Sequence, residues 1–167
     1  MTEAVIVATA RSPIGRANKG SLVDLRPDDM SAQIVRALMA KVPQVQPDDV
    51  EDLIMGCGQP AGEGGFNIAR VVAMLAGLDN VPGVTVNRYC SSSLQTIRMA
   101  AHAIKAGEGD CFIAAGVETV SRYASGASDT APNPIFKTPG ERTKARAAGG
   151  QPTWTPPQGI SDMYIAM

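Results

Sequence analysis

Apolar residues along the chain fall into two recurring patterns. Four short continuous runs, Ala4-Val5-Ile6-Val7-Ala8, Leu53-Ile54-Met55, Gly83-Val84-Thr85-Val86 and Cys111-Phe112-Ile113-Ala114-Ala115-Gly116, have the character of strands buried on both faces. Between them, apolar residues return every three or four positions. Met30, Ile34 and Leu38 form one such stripe, behind the acids Asp28 and Asp29 that suit the positive end of a helix dipole, and Pro43 closes it. Asn67 is placed to cap a second helix from Ile68 to Ala76, with Gly77 at its C-terminal end. A third helix is predicted from Ser91 to Ala106, stopping at Gly107, with Leu94, Ile97, Ala101 and Ile104 on one face and Gln95, Arg98, His102 and Lys105 on another. Strand and helix alternate through short connections, which predicts right-handed βαβ crossovers and a mostly parallel sheet between helices.

The third strand runs straight into the third helix through Asn87-Arg88-Tyr89-Cys90-Ser91-Ser92-Ser93. Such a corner lies at the carboxyl edge of a parallel sheet, where open α/β proteins place their sites. Free amide N–H groups and the dipole at a helix start favour negative charge, so a thiol there tends to ionise below its free value of about 8.5. Cys90 is therefore a candidate nucleophile rather than an inert core cysteine. At helical spacing it shares a side with Leu94, Ile97 and Ala101, which predicts a sulfur turned inward, into a shielded pocket.

Composition narrows the remaining possibilities. The 167 residues, 44% hydrophobic and 19% charged, are enough for one sizeable core. A formal net charge of -1 gives no argument for nucleic acid or for an anionic membrane as a partner. The N-terminus does not resemble a signal peptide, and no apolar run is long enough to span a bilayer, so a cytoplasmic location is expected. Three cysteines make neither a disulfide framework nor a metal-ligand spacing, so no metal is expected, and Cys57 and Cys111, inside apolar runs, are read as core residues. The glycine-rich stretch from Gly56 to Gly65 lacks the spacing of a dinucleotide loop, and Arg11 and Arg16 are read as solvated. Six of the twelve prolines lie between Ala131 and Pro157, which marks irregular structure after Glu118. Lys137, Arg142, Lys144 and Arg146 there read as a solvated face, and Asp162 to Met167 as the first turns of a helix, so no domain is expected to end at Met167.

Three motifs, spread over most of the first 122 residues, resemble the N-terminal part of the thiolase family. Val5 to Gly15 followed by Gly20-Ser21-Leu22 is similar to the family's opening strand and loop. Asn87 to Gln95 resembles its nucleophile motif, and Ala115-Gly116-Val117-Glu118-Thr119-Val120-Ser121 the segment after the next strand. Ser93 departs from the glycine common at that position. Val71, Asn87 and Glu118 are similar to the branch acting on steroid side chains and other bulky acyl groups.

The resemblance implies one half of a five-layered αβαβα fold over residues 1–119, and over 120–167 the incomplete beginning of a loop domain that covers coenzyme A. It implies a thiolase-type acyltransferase of fatty acid or steroid side-chain β-oxidation, in which Cys90 becomes acylated and its backbone N–H contributes to an oxyanion hole. Coenzyme A and acyl-CoA are then substrates, no cofactor is permanently bound, and the family's dimers or tetramers imply a homo-oligomer. The activating histidine, the second cysteine and the rest of the oxyanion hole belong to the family's other half, so a companion C-terminal polypeptide is expected and the chain alone is expected to be inactive. His102 cannot replace that histidine, because twelve helical residues place it roughly 18 Å from Cys90 along the axis. Two other readings stay open: a ketoacyl-synthase-like condensing enzyme, and a non-catalytic acyl-CoA-binding or scaffold subunit.

Overall fold

Three of the four apolar runs become strands. β1 (Asp52–Gly56) pairs in parallel with β2 (Gly83–Val86) on one side and with β3 (Phe112–Gly116) on the other, giving the order β2-β1-β3. The computed structural model describes residues 2–127, 133, 144, 145 and 148–150. The register sets Gly56 beside Val86 and Gly116, so the three strands finish together.

The two faces of the sheet are packed differently. Leu53 and Met55 join Ile68, Val72, Val81 and Ile113 in the main core, under α2 (Ile68–Ala76) and α1 (Pro27–Met39). The opposite face carries α3 (Ser92–Ala106), which lies on β1 and β3. This is the expected α/β arrangement, a parallel sheet between helices. α2 has the predicted limits, and Gly77 closes it in the left-handed conformation, its N–H reaching Ala73 O and Met74 O. Asn67 precedes α2 without capping it; its side chain instead bonds Gly83 O at 2.7 Å and Thr85 Oγ1 at 2.8 Å, tying α2 to β2.

Two expectations need correction. Val5, Ile6 and Val7 lie 72%, 73% and 72% exposed and form no strand. Apolar composition suits a run to a strand, but the strand itself is made by a neighbour's hydrogen bonds, and among the described residues none reaches the backbone of 4–8. In α1 the buried positions are Pro27, Asp28, Ser31, Ala32 and Val35, while the predicted Met30 and Leu38 pack at the margin. The helix is rotated because Asp28 is drawn inward by Arg26, at 3.0 Å, and by Asn133 Nδ2, at 2.9 Å. α1 also stops at Met39, short of Pro43.

Beyond β3, α4 (Val120–Ala124) opens the last segment. Lys144 is exposed. The other three basic residues and the expected helix start at 162–167 lie outside the described residues. Among the described residues no helix is long and apolar enough to cross a membrane.

Candidate active site

α3 seats its start directly on the sheet because two strands end in glycine. A Cβ on Gly56 would lie 2.6 Å from the Ser92 carbonyl carbon, and one on Gly116 would overlap Ser93 Oγ. Close seating favours small residues on the inner face, and Ser92, Thr96 and Ala100 are the buried ones. Their hydroxyls are satisfied locally: Ser92 Oγ donates to Tyr89 O at 2.6 Å and accepts from Arg88 N at 2.8 Å. Thr96 Oγ1 lies 2.8 Å from Ser93 O and 3.2 Å from Ala115 O. The first half of the stripe predicted to face inward is thereby turned outward, with Leu94 67% and Ile97 44% exposed, while Ala101 and Ile104 are half-buried. Periodicity located the helix and its apolar stripe correctly, but not the side that meets the sheet.

The same rotation moves Cys90. It sits in a 3-10 turn, Tyr89–Ser91, that precedes α3, and it is exposed rather than directed into the protein. Its N–H has no acceptor among the described residues. Tyr89 adopts φ 47°, a left-handed conformation that costs a non-glycine residue about 1–2 kcal/mol. Around it, Tyr89 N–H donates to Asn87 Oδ1 at 2.9 Å, and Asn87 Nδ2 donates to Gly58 O at 3.2 Å. Gly58 N–H in turn donates to the Glu118 carboxylate. Arg88 reaches along the helix to Gln95 Oε1 at 2.6 Å.

The other candidates separate clearly from Cys90. Cys57 is buried; burial pushes its thiol pKa up, with Glu118 adding to the effect and a backbone hydrogen bond at Gln59 opposing it. Cys111 is partly buried at the edge of the core, and burial followed by Asp49 and Glu51 raises it likewise. His102 is exposed on α3, and Arg11 and Arg16 are exposed. A cleft beside Cys57 and Glu118 encloses about 10 Å³, room for no more than about one water.

Sequence reasoning missed an ionic cluster beneath the glycine-rich loop. The carboxylate of Glu63, fully inaccessible, lies 3.1 Å from Arg26 Nη1 and 2.5 Å from Arg122 Nε. Arg26 also holds Asp28, and Arg122 reaches Val23 O at 3.3 Å. The cluster joins the approach to α1, the loop after β1 and α4. A lone acid among glycines was the available signal, since a solvated loop has no need to fix one there.

The fold is an α/β domain whose parallel sheet lies between helices, with Cys90 exposed at the corner between β2 and α3. The sequence matches the family described as "Thiolase, N-terminal domain" over residues 4–147, and the chain belongs to the thiolase family. It is 48% identical over 119 residues to a 3-ketoacyl-CoA thiolase of Shewanella frigidimarina, which covers 71% of this chain and 31% of that protein. It is 46% identical over 134 residues to a 3-ketoacyl-CoA thiolase of Bacillus subtilis, covering 80% of this chain and 34% of that one. The chain thus spans about a third of the length of these curated relatives.

Proposed function

We propose that this chain carries the nucleophile of a thiolase-type acyltransferase acting on 3-ketoacyl-CoA, and that a second polypeptide completes the site. The observation that carries the reading is the exposure of Cys90 at the sheet's carboxyl edge, at the entrance to α3. Once a base has taken its proton, the Cys90 sulfur attacks the keto carbon and forms a thioester as the bond between that carbon and the neighbouring methylene breaks. The released electron pair stays on acetyl-CoA as an enolate, which takes a proton from an acid. Free coenzyme A then displaces Cys90 and leaves with an acyl group shorter by two carbons; the reverse sequence is Claisen condensation. The Cys90 N–H faces the developing oxyanion.

The base, the acid and the remaining oxyanion donors come from the second polypeptide. The assembled protein is an oligomer, a dimer or tetramer, and acts in the cytoplasm in lipid degradation. Coenzyme A and acyl-CoA pass through as substrates, with no permanently bound cofactor.

Mass mapping tests the reading. The chain is exposed to a 3-ketoacyl-CoA with and without a polypeptide covering the rest of the Bacillus subtilis relative. An acyl adduct on Cys90 and released acetyl-CoA are expected only when both are present, and Cys90→Ala removes both. Turnover by the chain alone sinks the two-polypeptide reading, and turnover of the assembly that is indifferent to Cys90→Ala assigns the chain a scaffold role.

A further inference from the structure

The loops that follow the three strands meet at Gly58. Its N–H donates to Glu118, from the loop after β3, and its C=O accepts from Asn87, from the loop after β2. A Cβ on Gly58 would stand 3.0 Å from Glu118 Oε1 and 3.4 Å from Tyr89 Cα, so the peptide fills the space between the carboxylate and the turn. Asn87 passes the connection on, because the side chain that donates to Gly58 O also accepts the Tyr89 N–H. Tyr89 is held left-handed immediately before Cys90, a conformation that persists only where its surroundings fix it.

The acyl-transfer steps proposed above give Glu118 no part. The residue as a whole is exposed, yet one carboxylate oxygen is turned in to a backbone amide of another loop. We propose that Glu118 is a positioning residue: through Gly58 and Asn87 it holds Tyr89 left-handed and so fixes where the Cys90 sulfur stands. What it supplies is an acceptor for the Gly58 N–H rather than a proton or a charge. The proposal rests on Cys90 being the nucleophile, but its consequences can be read from the turn itself.

The test compares Glu118→Ala with Glu118→Gln in the full chain, since glutamine keeps an acceptor oxygen and loses the charge. The Cys90 alkylation rate by iodoacetamide is mapped by peptide mass, with buried Cys57 reporting global opening, and NMR follows hydrogen exchange of the Tyr89 amide. Glu118→Ala is expected to change the Cys90 rate by about threefold or more and to speed Tyr89 exchange about tenfold, with Cys57 unchanged. Glu118→Gln restores both to within about twofold of the parent. Values for Glu118→Ala that match the parent overturn the proposal, as does a Glu118→Gln that behaves like Glu118→Ala.

If Glu118→Ala also exposes Cys57, Asn87→Asp decides. It keeps the acceptor for Tyr89 N–H and loses the donor to Gly58 O, so a Cys90 rate changed about threefold supports the coupling and an unchanged rate overturns it. Failure of the acyl-transfer reading is a separate result: Cys90 takes no acyl group in the assembled protein while its alkylation still responds to Glu118.

Discussion

The seating of α3 on Gly56 leaves no space for a methyl group, and Gly56→Ala measures that contact. The added Cβ would lie 2.6 Å from the Ser92 carbonyl carbon, 2.7 Å from Ser93 N and 2.8 Å from Ser92 Cβ. Carbon atoms rest about 3.5 Å apart, so the helix start has to retreat by roughly 0.9 Å. Two of the three atoms are backbone, and no rotamer change relieves them. Overpacking costs about 1–3 kcal/mol, and a backbone collision belongs in the upper half of that range. Gly56 is not among the residues with positive φ. Alanine is therefore at ease in its conformation, and by restricting the unfolded chain it returns about 0.4–1 kcal/mol. The collision wins, and a net loss of about 1–2 kcal/mol is expected. With a urea m-value of about 1–3 kcal/mol per molar, the midpoint followed by far-UV circular dichroism falls by on the order of 1 M. Gly116→Ala is the comparison: its Cβ meets a hydroxyl that can rotate away, leaving only Ser93 Cβ at 3.0 Å, so it costs less, and Ser93→Gly recovers part of the loss. A midpoint that stays or rises in Gly56→Ala refutes the close seating.

Three further outcomes follow from the same structure. Glu63→Ala leaves Arg26 and Arg122 facing each other without their shared anion, and thermal melting should show a loss of about 3–5 kcal/mol, with Glu63→Gln losing less. Burial raises the Asp52 carboxyl above its usual 3.8, against the pull of the Leu53 N–H, and its Oδ1 has no partner among the described residues. The folded state then binds more protons than the unfolded one, so this residue's contribution is full below the ordinary carboxyl value and declines as pH rises through the raised one. Asp52→Asn should therefore match the parent at the acid end and gain on it toward neutrality in urea midpoints measured from pH ~4 to ~7; a constant difference would contradict the assignment. Leu94→Ser should change stability by no more than about 0.5 kcal/mol, as for a surface residue. A loss of about 2–5 kcal/mol, the cost of truncating a buried leucine, would restore the inward stripe that periodicity suggested.

Most of the frame was legible because its signals are local. The runs at Leu53, Gly83 and Phe112 are each shorter than two helical turns, rich in β-branched or small residues and bounded by turn signals, so they read as strands. Gly77 and Gly107 mark helix ends through their own left-handed conformations. What failed were the inferences about which neighbour the opening run and the faces of α1 and α3 would meet. Leu94 and Ile97 form a true helical stripe, but the glycines that decide the packing lie in other strands, at positions 56 and 116. Cys90 is singled out by its place at the strand-helix corner, and its exposure, where an inward sulfur was expected, was missed for the same reason. The links from Glu118 to Gly58 and from Arg122 to Glu63 span 60 and 59 residues, and no local pattern announces them.

The rotation of α3 connects the fold to the proposed assembly. A helix that offers Ser92, Thr96 and Ala100 to the sheet gains close contact and a fixed position for its start, and gives up the burial of its larger apolar residues. Fully burying a leucine, isoleucine or valine is worth about 1.5–3 kcal/mol, so completing the burial of Leu94 and Ile97 returns on the order of 2–3 kcal/mol together. Association costs about 4–15 kcal/mol before any contact is counted. The α3 face is therefore too small to hold a second polypeptide by itself. Val5, Ile6 and Val7, almost three-quarters exposed, add on the order of 4–6 kcal/mol if covered by the same partner. A companion that buries both surfaces can offset the lower end of the association cost, and one that reaches only the helix cannot. On the proposed reading, a polypeptide that completes the site at Cys90 needs apolar surface beyond α3, and the N-terminal run at Val5, Ile6 and Val7 is one exposed stretch that offers it.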